Sequence, residues 1–230
     1  MITPVGQLLK KYNLGDYKNR EILPKIHNKE TQIFLENVRL VEKISYTGLP
    51  KKLYNKFSFE NLNQSFLDPK KLEICEKWTP ENEKGLLLIG SVGTAKTHIA
   101  CAILKRFSNK NFIGKFYSLS KLMSECKDKI ANNKDGDTIE MLLNDIYSCD
   151  ILVIDDLGDS KTTDFSHDIF SGILNNRINT EKKIIITTNL SGDELREIYG
   201  RRILDRFNEI VRPVTFVGES FRKKVLSKKI

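Results

Sequence analysis

The run Gly90-Ser-Val-Gly-Thr-Ala-Lys-Thr97 limits the possible folds of this chain more than any other stretch. It follows the apolar segment Gly85-Leu-Leu-Leu-Ile89, which reads as a buried strand. It precedes Thr97-His-Ile-Ala-Cys-Ala-Ile-Leu104, whose apolar residues recur at helical spacing. A glycine-bearing loop between a strand and a helix is the setting in which a phosphate-binding loop works. Gly90 and Gly93 let the backbone curl, so that N–H groups of Ser91, Val92, Thr94 and Ala95 turn inward at phosphate oxygens. The helix N-terminus adds partial positive charge. Lys96 would reach the β- and γ-phosphates, the Thr97 hydroxyl would ligate Mg²⁺, and His98 closes the binding run. Ala95 departs from the pattern by standing where glycine is usual, and its methyl group is tolerated if the residue keeps a negative φ. The competing reading is a strand-to-helix turn that binds nothing.

From Phe57 onward, strands and helices alternate. Strands are predicted near 85–90, 112–118, 150–155, 183–188 and 210–217. Helices are predicted near 66–78, 96–108, 119–131, 137–148, 164–179, 192–199 and 200–208. Apolar strands alternating with helices imply an α/β fold with a parallel sheet covered on both faces. Ligands of such sheets sit at the carboxyl ends of the strands, where the loop is. Residues 1–55 differ, being polar and rich in lysine. Ile33, Phe34, Val38, Leu40, Val41 and Ile44 fit one amphipathic helix over 31–45, stopped by Gly48-Leu-Pro50. The expected organisation is a small helical N-terminal module, 1–55, before a larger domain, 56–230.

No apolar run approaches the roughly 20 residues that span a bilayer. The start Met-Ile-Thr-Pro-Val has neither the basic nor the apolar region of a signal peptide, so a cytoplasmic protein is expected. Cys75, Cys101, Cys126 and Cys149 are scattered, with no histidine at metal spacing, and read as free thiols. The net charge of +8 suits nucleic acid or another acidic partner.

Three further motifs carry chemistry. Ile151 to Ile154 form an apolar strand ending in Asp155 and Asp156. Beside a phosphate loop, a strand-terminal carboxylate serves Mg²⁺, the Walker B role, which falls to Asp155. Asp156 points elsewhere and can polarise an attacking water. The alternative is two acids opening a solvated turn. Lys183-Ile-Ile-Ile-Thr-Thr-Asn-Leu190 ends a β-branched strand in Asn189, which can hold that water and sense the γ-phosphate. Otherwise Asn189 caps the next helix, although Ser191 competes for the cap. Arg202 and Arg206 in Gly200-Arg-Arg-Ile-Leu-Asp-Arg-Phe207 share a helix face. A guanidinium fork supplied by a neighbouring subunit stabilises charge in phosphoryl transfer. Pairing with Asp205 or Glu209 is the plainer reading.

Taken in order, these signals resemble the AAA+ superfamily, some of whose loops also end Ala-Lys-Thr. The finer resemblance is to the bacterial replicative-helicase loader family (DnaC type), related to the IstB transposition helpers. Pro50–Leu62, Gly85–Ala102, Ile151–Gly158, Gly200–Phe207, Ser220-Phe-Arg222 and Val5-Gly-Gln-Leu-Leu-Lys-Lys11 carry it, so it covers most of the chain. The resemblance implies a five-stranded AAA+ P-loop NTPase without a separate C-terminal lid, using ATP and Mg²⁺. Asn189 would be sensor 1, Arg206 the finger acting in trans with Arg202 beside it, and Arg222 a second sensor. Asp156 replaces the glutamate more usual in AAA+ proteins, and its shorter reach suits a slow switch.

The resemblance also implies partners: a DnaB-type replicative helicase, single-stranded DNA, and further copies of the chain in a spiral. Lys127, Lys129, Lys161 and Phe165 match the family's DNA-facing segments, where cations track the backbone and an aromatic stacks a base. Against this, lysines are commonly just solvated and a phenylalanine at a helix start is commonly core. Phe34, Val38 and Val41 would dock the helicase, or fold back on the ATPase domain. An IstB-type helper recruiting a transposase, a metabolite P-loop kinase and a non-hydrolysing ATP-binding adaptor are the rival functions.

Overall fold

A computed structural model describes residues 47–218, apart from 82, 109–111, 132–137 and 160–161. The helix expected over 31–45, with Phe34, Val38 and Val41, lies outside them. So do Lys161 and Arg222.

Five strands build the sheet: β1 (Gly85–Gly90), β2 (Gly114–Ser118), β3 (Ile151–Leu157), β4 (Lys183–Thr188) and β5 (Val211–Phe216). All neighbours are parallel, in the order β2-β3-β4-β1-β5. The described helices are α1 (Lys51–Lys56), α2 (Pro69–Lys77), α3 (Lys96–Ser108), α4 (Leu119–Ala131), α5 (Ile139–Ser148), α6 (Asp164–Thr180) and α7 (Gly192–Ile210). Each predicted strand is present within two residues of its expected ends. Ile151–Ile154 and Ile184–Ile186 are wholly buried, which is why the strands read as unbroken apolar runs rather than alternations. Leu49 and Tyr54 are also buried, and the Lys105 ammonium donates to the Tyr54 carbonyl at 3.1 Å, so the chain from Thr47 packs with the sheet domain.

The two short helices expected at 192–199 and 200–208 run on as α7, broken by Gly200 at φ 74° and ψ 166°. No atom lies within 4 Å of where a Cβ would stand there, so backbone conformation alone calls for glycine. Ser191 caps α7 by accepting from the Glu194 N–H, while the Glu194 carboxylate accepts from the Ser191 N–H at 2.7 Å. Asn189 is therefore not the cap.

Two helices end in a way the sequence does not announce. Neither α2 nor α5 closes on a left-handed glycine; Trp78 and Cys149 leave in extended conformations. Arginines from neighbouring helices take the orphaned carbonyls instead. Arg106 of α3 donates to the Glu76 carbonyl and to that of Trp78 at 2.8 Å. Arg177 of α6, wholly buried, donates to the Cys149 carbonyl at 2.6 Å and to that of Ile146. A cation at a helix C-terminus also opposes the negative end of the dipole. Arg177→Met keeps most of the bulk but strands two buried carbonyls, so it should destabilise the chain by about 3 kcal/mol. Urea unfolding checks this, and an unchanged midpoint would show that the carbonyls find other donors.

All four cysteines are buried free thiols, as expected. Among the described residues no helix is long and apolar enough to cross a membrane.

Candidate nucleotide-binding site

The parallel sheet brings the carboxyl ends of β1, β3 and β4 side by side, and the motif residues meet there. They line a cleft of about 650 Å³ formed by Val92, Gly93, Thr94, Ala95, Lys96, Thr97, His98, Asp156 and Asn189. Gly90 ends β1 and Ser91 follows it, and their carbonyls meet the Lys96 ammonium of the cleft.

Lys96, the first residue of α3, is only 5% exposed. Its ammonium donates to the carbonyls of Gly90 at 2.7 Å and Ser91 at 2.9 Å, and to Asn189 Oδ1 at 2.7 Å. Two motifs 93 residues apart thus share one hydrogen bond. Three oxygens around an ammonium describe a cation with its donors engaged. Phosphate oxygens, being charged acceptors, would compete well for the same donors.

The loop itself corrects one expectation. Ala95 has φ 65°, in the left-handed region, rather than the negative φ its methyl group favours. Gly93 is also left-handed, at φ 87°, where glycine carries no steric penalty. The curl that turns the loop's N–H groups inward evidently outweighs the strain at Ala95, which costs an L-residue about 1–2 kcal/mol. Ala95→Gly should therefore raise stability by up to about 1 kcal/mol, because glycine's greater unfolded freedom offsets part of the relief. Thermal melting of the ligand-free chain tests it; a lower melting point would show that the methyl group packs better than it strains.

Asp155 and Asp156 behave differently although adjacent. The Asp155 side chain is buried, and burial pushes its carboxyl up to about 6, further raised by the neighbouring Asp156 charge. Hydrogen bonds from the Thr187 and Thr97 hydroxyls pull the other way, as does the Lys96 charge. Asp156 adopts φ 55° and faces the cleft. Asp155 and Thr97 thus present a carboxylate and a hydroxyl to one another, two hard oxygen donors of the kind Mg²⁺ accepts. Among the described residues no cluster of three or more His, Cys, Asp or Glu side chains is set to hold a metal. That sparse donor set fits Mg²⁺, which keeps waters and takes substrate oxygens rather than filling an all-protein cage.

The opposite wall was not anticipated. Phe57, Asn61, Leu62 and Asn63 also line the cleft, and Asp159, just beyond β3, joins them from the side of Asp156. His98 donates to the Ser58 carbonyl at 2.7 Å, and its ring lies 4.6 Å from that of Phe57. Burial lowers the pKa of His98, consistent with a neutral ring whose Nε2 carries the proton. Composition gives no sign of this wall, because 57–63 has no regular period. Its only signal was the family-like run Pro50–Leu62.

The remaining candidates stand apart from the cleft. Arg206 Nε donates to Asn175 Oδ1 at 2.6 Å and its Nη1 to the Arg202 carbonyl at 3.1 Å, so its bonds run to α6 and its own helix rather than to Asp205 or Glu209. Arg202 is exposed. Lys127 is exposed and Lys129 half-buried on α4, while Phe165 is half-buried against the core cluster.

Comparison with known proteins agrees with this geometry. A family model described as IstB-like ATP binding protein matches residues 25–229. The replicative helicase loader DnaC of Escherichia coli (strain K12) is 29% identical over 150 residues, covering 64% of this chain. The match spans 60% of that loader's length. A crystal structure of the DnaC helicase loader superposes with a TM-score of 0.59 at 25% identity, covering 73% of this chain and 99% of that one. AMPPCP-bound DnaA from Aquifex aeolicus shares the fold, with a TM-score of 0.56 at 22% identity, covering 76% of this chain and 54% of that one.

Proposed function

This chain belongs to the family of IstB-like ATP binding proteins, and on that premise we propose that it is an ATP-dependent loader of a DnaB-type replicative helicase. It would bind the helicase and deliver it to single-stranded DNA at the start of replication, in the cytoplasm. The observation that carries the reading is the convergence of Lys96, Asp156 and Asn189 on one cleft, with Asp155 buried beside Thr97 of the same cleft, in a chain whose relatives include replicative helicase loaders.

The chemistry is ATP hydrolysis used as a switch. Lys96 exchanges its carbonyl and Asn189 contacts for phosphate oxygens, which releases the Asn189 amide to meet the γ-phosphate. Thr97 and Asp155 would hold Mg²⁺, which neutralises phosphate charge when bound. Asp156 orients the attacking water. Arg206, with Arg202 beside it, stabilises developing charge in the site of an adjoining copy of a spiral assembly. Two nucleotide states with different affinities for helicase and DNA then supply the directionality.

Residues 1–55 are read as the helicase-docking module and 56–230 as the ATPase domain. Lys127, Lys129 and Lys161 would track single-stranded DNA, and Phe165, although half-buried, would offer it a ring edge. Arg222 would serve as a second sensor. Residues 219–230 carry five Lys or Arg against one Glu, which makes the sequence after β5 basic. The IstB-like family description favours a second reading, a helper that recruits a transposase to DNA.

Light scattering on the full chain mixed with a DnaB-type hexamer, ATP and Mg²⁺ separates the two. A defined ATP-dependent complex, with salt-sensitive binding of oligo-dT, is expected for the loader. No helicase complex, together with ATP-dependent capture of a transposase on duplex DNA, would replace it with the second reading.

A further inference from the structure

The register between β3 and β4 slips where the chemistry begins. Ile154 sits opposite Ile186, and the next pair is Leu157 opposite Thr188. Two residues of β3, Asp155 and Asp156, therefore face one residue of β4, Thr187, which defines a β-bulge. Such bulges are uncommon in parallel sheets, and here the extra residue takes the left-handed conformation of Asp156. A left-handed aspartate inside a sheet needs something to fix it.

The Thr187 side chain does so with one oxygen. Its hydroxyl donates to Asp155 Oδ1 at 2.6 Å and accepts the backbone N–H of Asp156 at 3.0 Å. The residue is completely buried, so no water competes for either bond. Both hydrogen-bonding faces of the hydroxyl are used, one on each carboxylate residue. Thr188 closes the other end of the slip: its hydroxyl donates to the Leu157 carbonyl at 2.7 Å and accepts the Leu190 N–H at 3.1 Å. The two threonines thus join the carboxylate strand to the turn that carries Asn189.

We infer that Thr187 is a positioning residue of the nucleotide site: its hydroxyl sets the Asp155 side chain and the Asp156 backbone together, so that one carboxylate serves the metal while the other faces the cleft. The inference rests on the ATP-hydrolysing reading above and adds to it a residue that touches neither nucleotide nor water. A threonine is required because the bond geometry needs a hydroxyl and the buried strand favours a β-branched side chain. Valine matches its shape and lacks only the hydroxyl; serine keeps the hydroxyl and lacks only the methyl.

The test compares Thr187→Val with Thr187→Ser in the full chain, reading fluorescent ATP-analogue affinity with Mg²⁺ and with EDTA, alongside ATP turnover. In EDTA both variants should bind within about twofold of the wild type, because the phosphate loop is untouched. With Mg²⁺, Thr187→Val should lose most of the metal-dependent gain in affinity and about 30-fold in kcat, somewhat less than the roughly hundredfold that a 1 Å misplacement can cost. Thr187→Ser should stay within about threefold. On an Asp155→Asn background the valine substitution should add little to the loss of metal dependence, since both act on one carboxylate. Circular-dichroism melts confirm that each variant is folded.

Wild-type metal dependence and turnover in Thr187→Val would overturn the inference while leaving the ATPase reading intact. Equal impairment of the serine variant would also overturn it, by assigning the effect to the methyl group. Absence of nucleotide binding by the wild-type chain would remove both readings together.

Discussion

Lys96→Ala is expected to weaken ATP binding by about a hundredfold and to reduce turnover to background. The loss of charge-assisted bonds to phosphate oxygens, at about 1.5–3 kcal/mol, sets that scale. The substitution has a second effect that separates it from a simple loss of contact. In the structure Lys96 satisfies two loop carbonyls and Asn189. Alanine leaves these acceptors to solvent, so the variant should melt slightly lower without ligand and gain almost nothing from added ATP. A wild-type chain at a hundredfold excess of ligand over Kd gains about 2.7 kcal/mol. Thermal melts with and without Mg-ATP measure both effects in one experiment. A variant that ATP still stabilises as strongly as the wild type would remove Lys96 from the binding site.

Asp155→Asn should have two effects of opposite sign. The buried carboxyl is raised to about 6 from an ordinary 3.8, so the folded state holds its proton more tightly than the unfolded chain. Stability due to this group is therefore fully present below about pH 4 and is lost as pH rises towards 6. Above that, the ionised form costs about 3 kcal/mol, at roughly 1.4 kcal/mol per pH unit of separation. Asparagine is uncharged, keeps an oxygen for the Thr187 hydroxyl, and should raise the melting point near neutral pH by about 5–10 °C. It should also flatten the stability profile between pH 4 and 6. The same change removes the charge proposed to hold Mg²⁺, so on that reading hydrolysis should fall by at least about a hundredfold, the scale seen when a preorganised electrostatic group is lost. A variant that is less stable than the wild type at pH 7 would show that the carboxylate is already compensated in the ligand-free protein.

Much of the fold and site is legible in the sequence because it rests on local pattern. The strands are apolar runs, the loop has its spacing, and Asp155, Asp156 and Asn189 stand at strand ends, where a parallel sheet gathers ligand-facing residues. Even the break at Gly200 follows from a glycine inside an apolar helical pattern. What escaped the sequence depends on long-range geometry. The left-handed Ala95 reflects the path of a loop whose demands exceed one residue's preference. Arg106 and Arg177 read as ordinary cations, because capping a helix from a neighbouring one leaves no spacing to recognise. Thr187 reads as one β-branched residue among five, and only the slipped register reveals its place between two carboxylates. The wall at 57–63 is irregular backbone, whose role appears only when β1 and α3 are set behind it.

Gly200 interrupts α7 in open space, so crowding has no part in the choice of residue there. Chirality decides it: at φ 74° and ψ 166° an L-alanine would strain the main chain, whereas the same angles are relaxed for its mirror image, D-alanine. Chemical synthesis of that segment with D-alanine at 200 would therefore narrow the backbone freedom of the bend between Asn189 and the arginine pair.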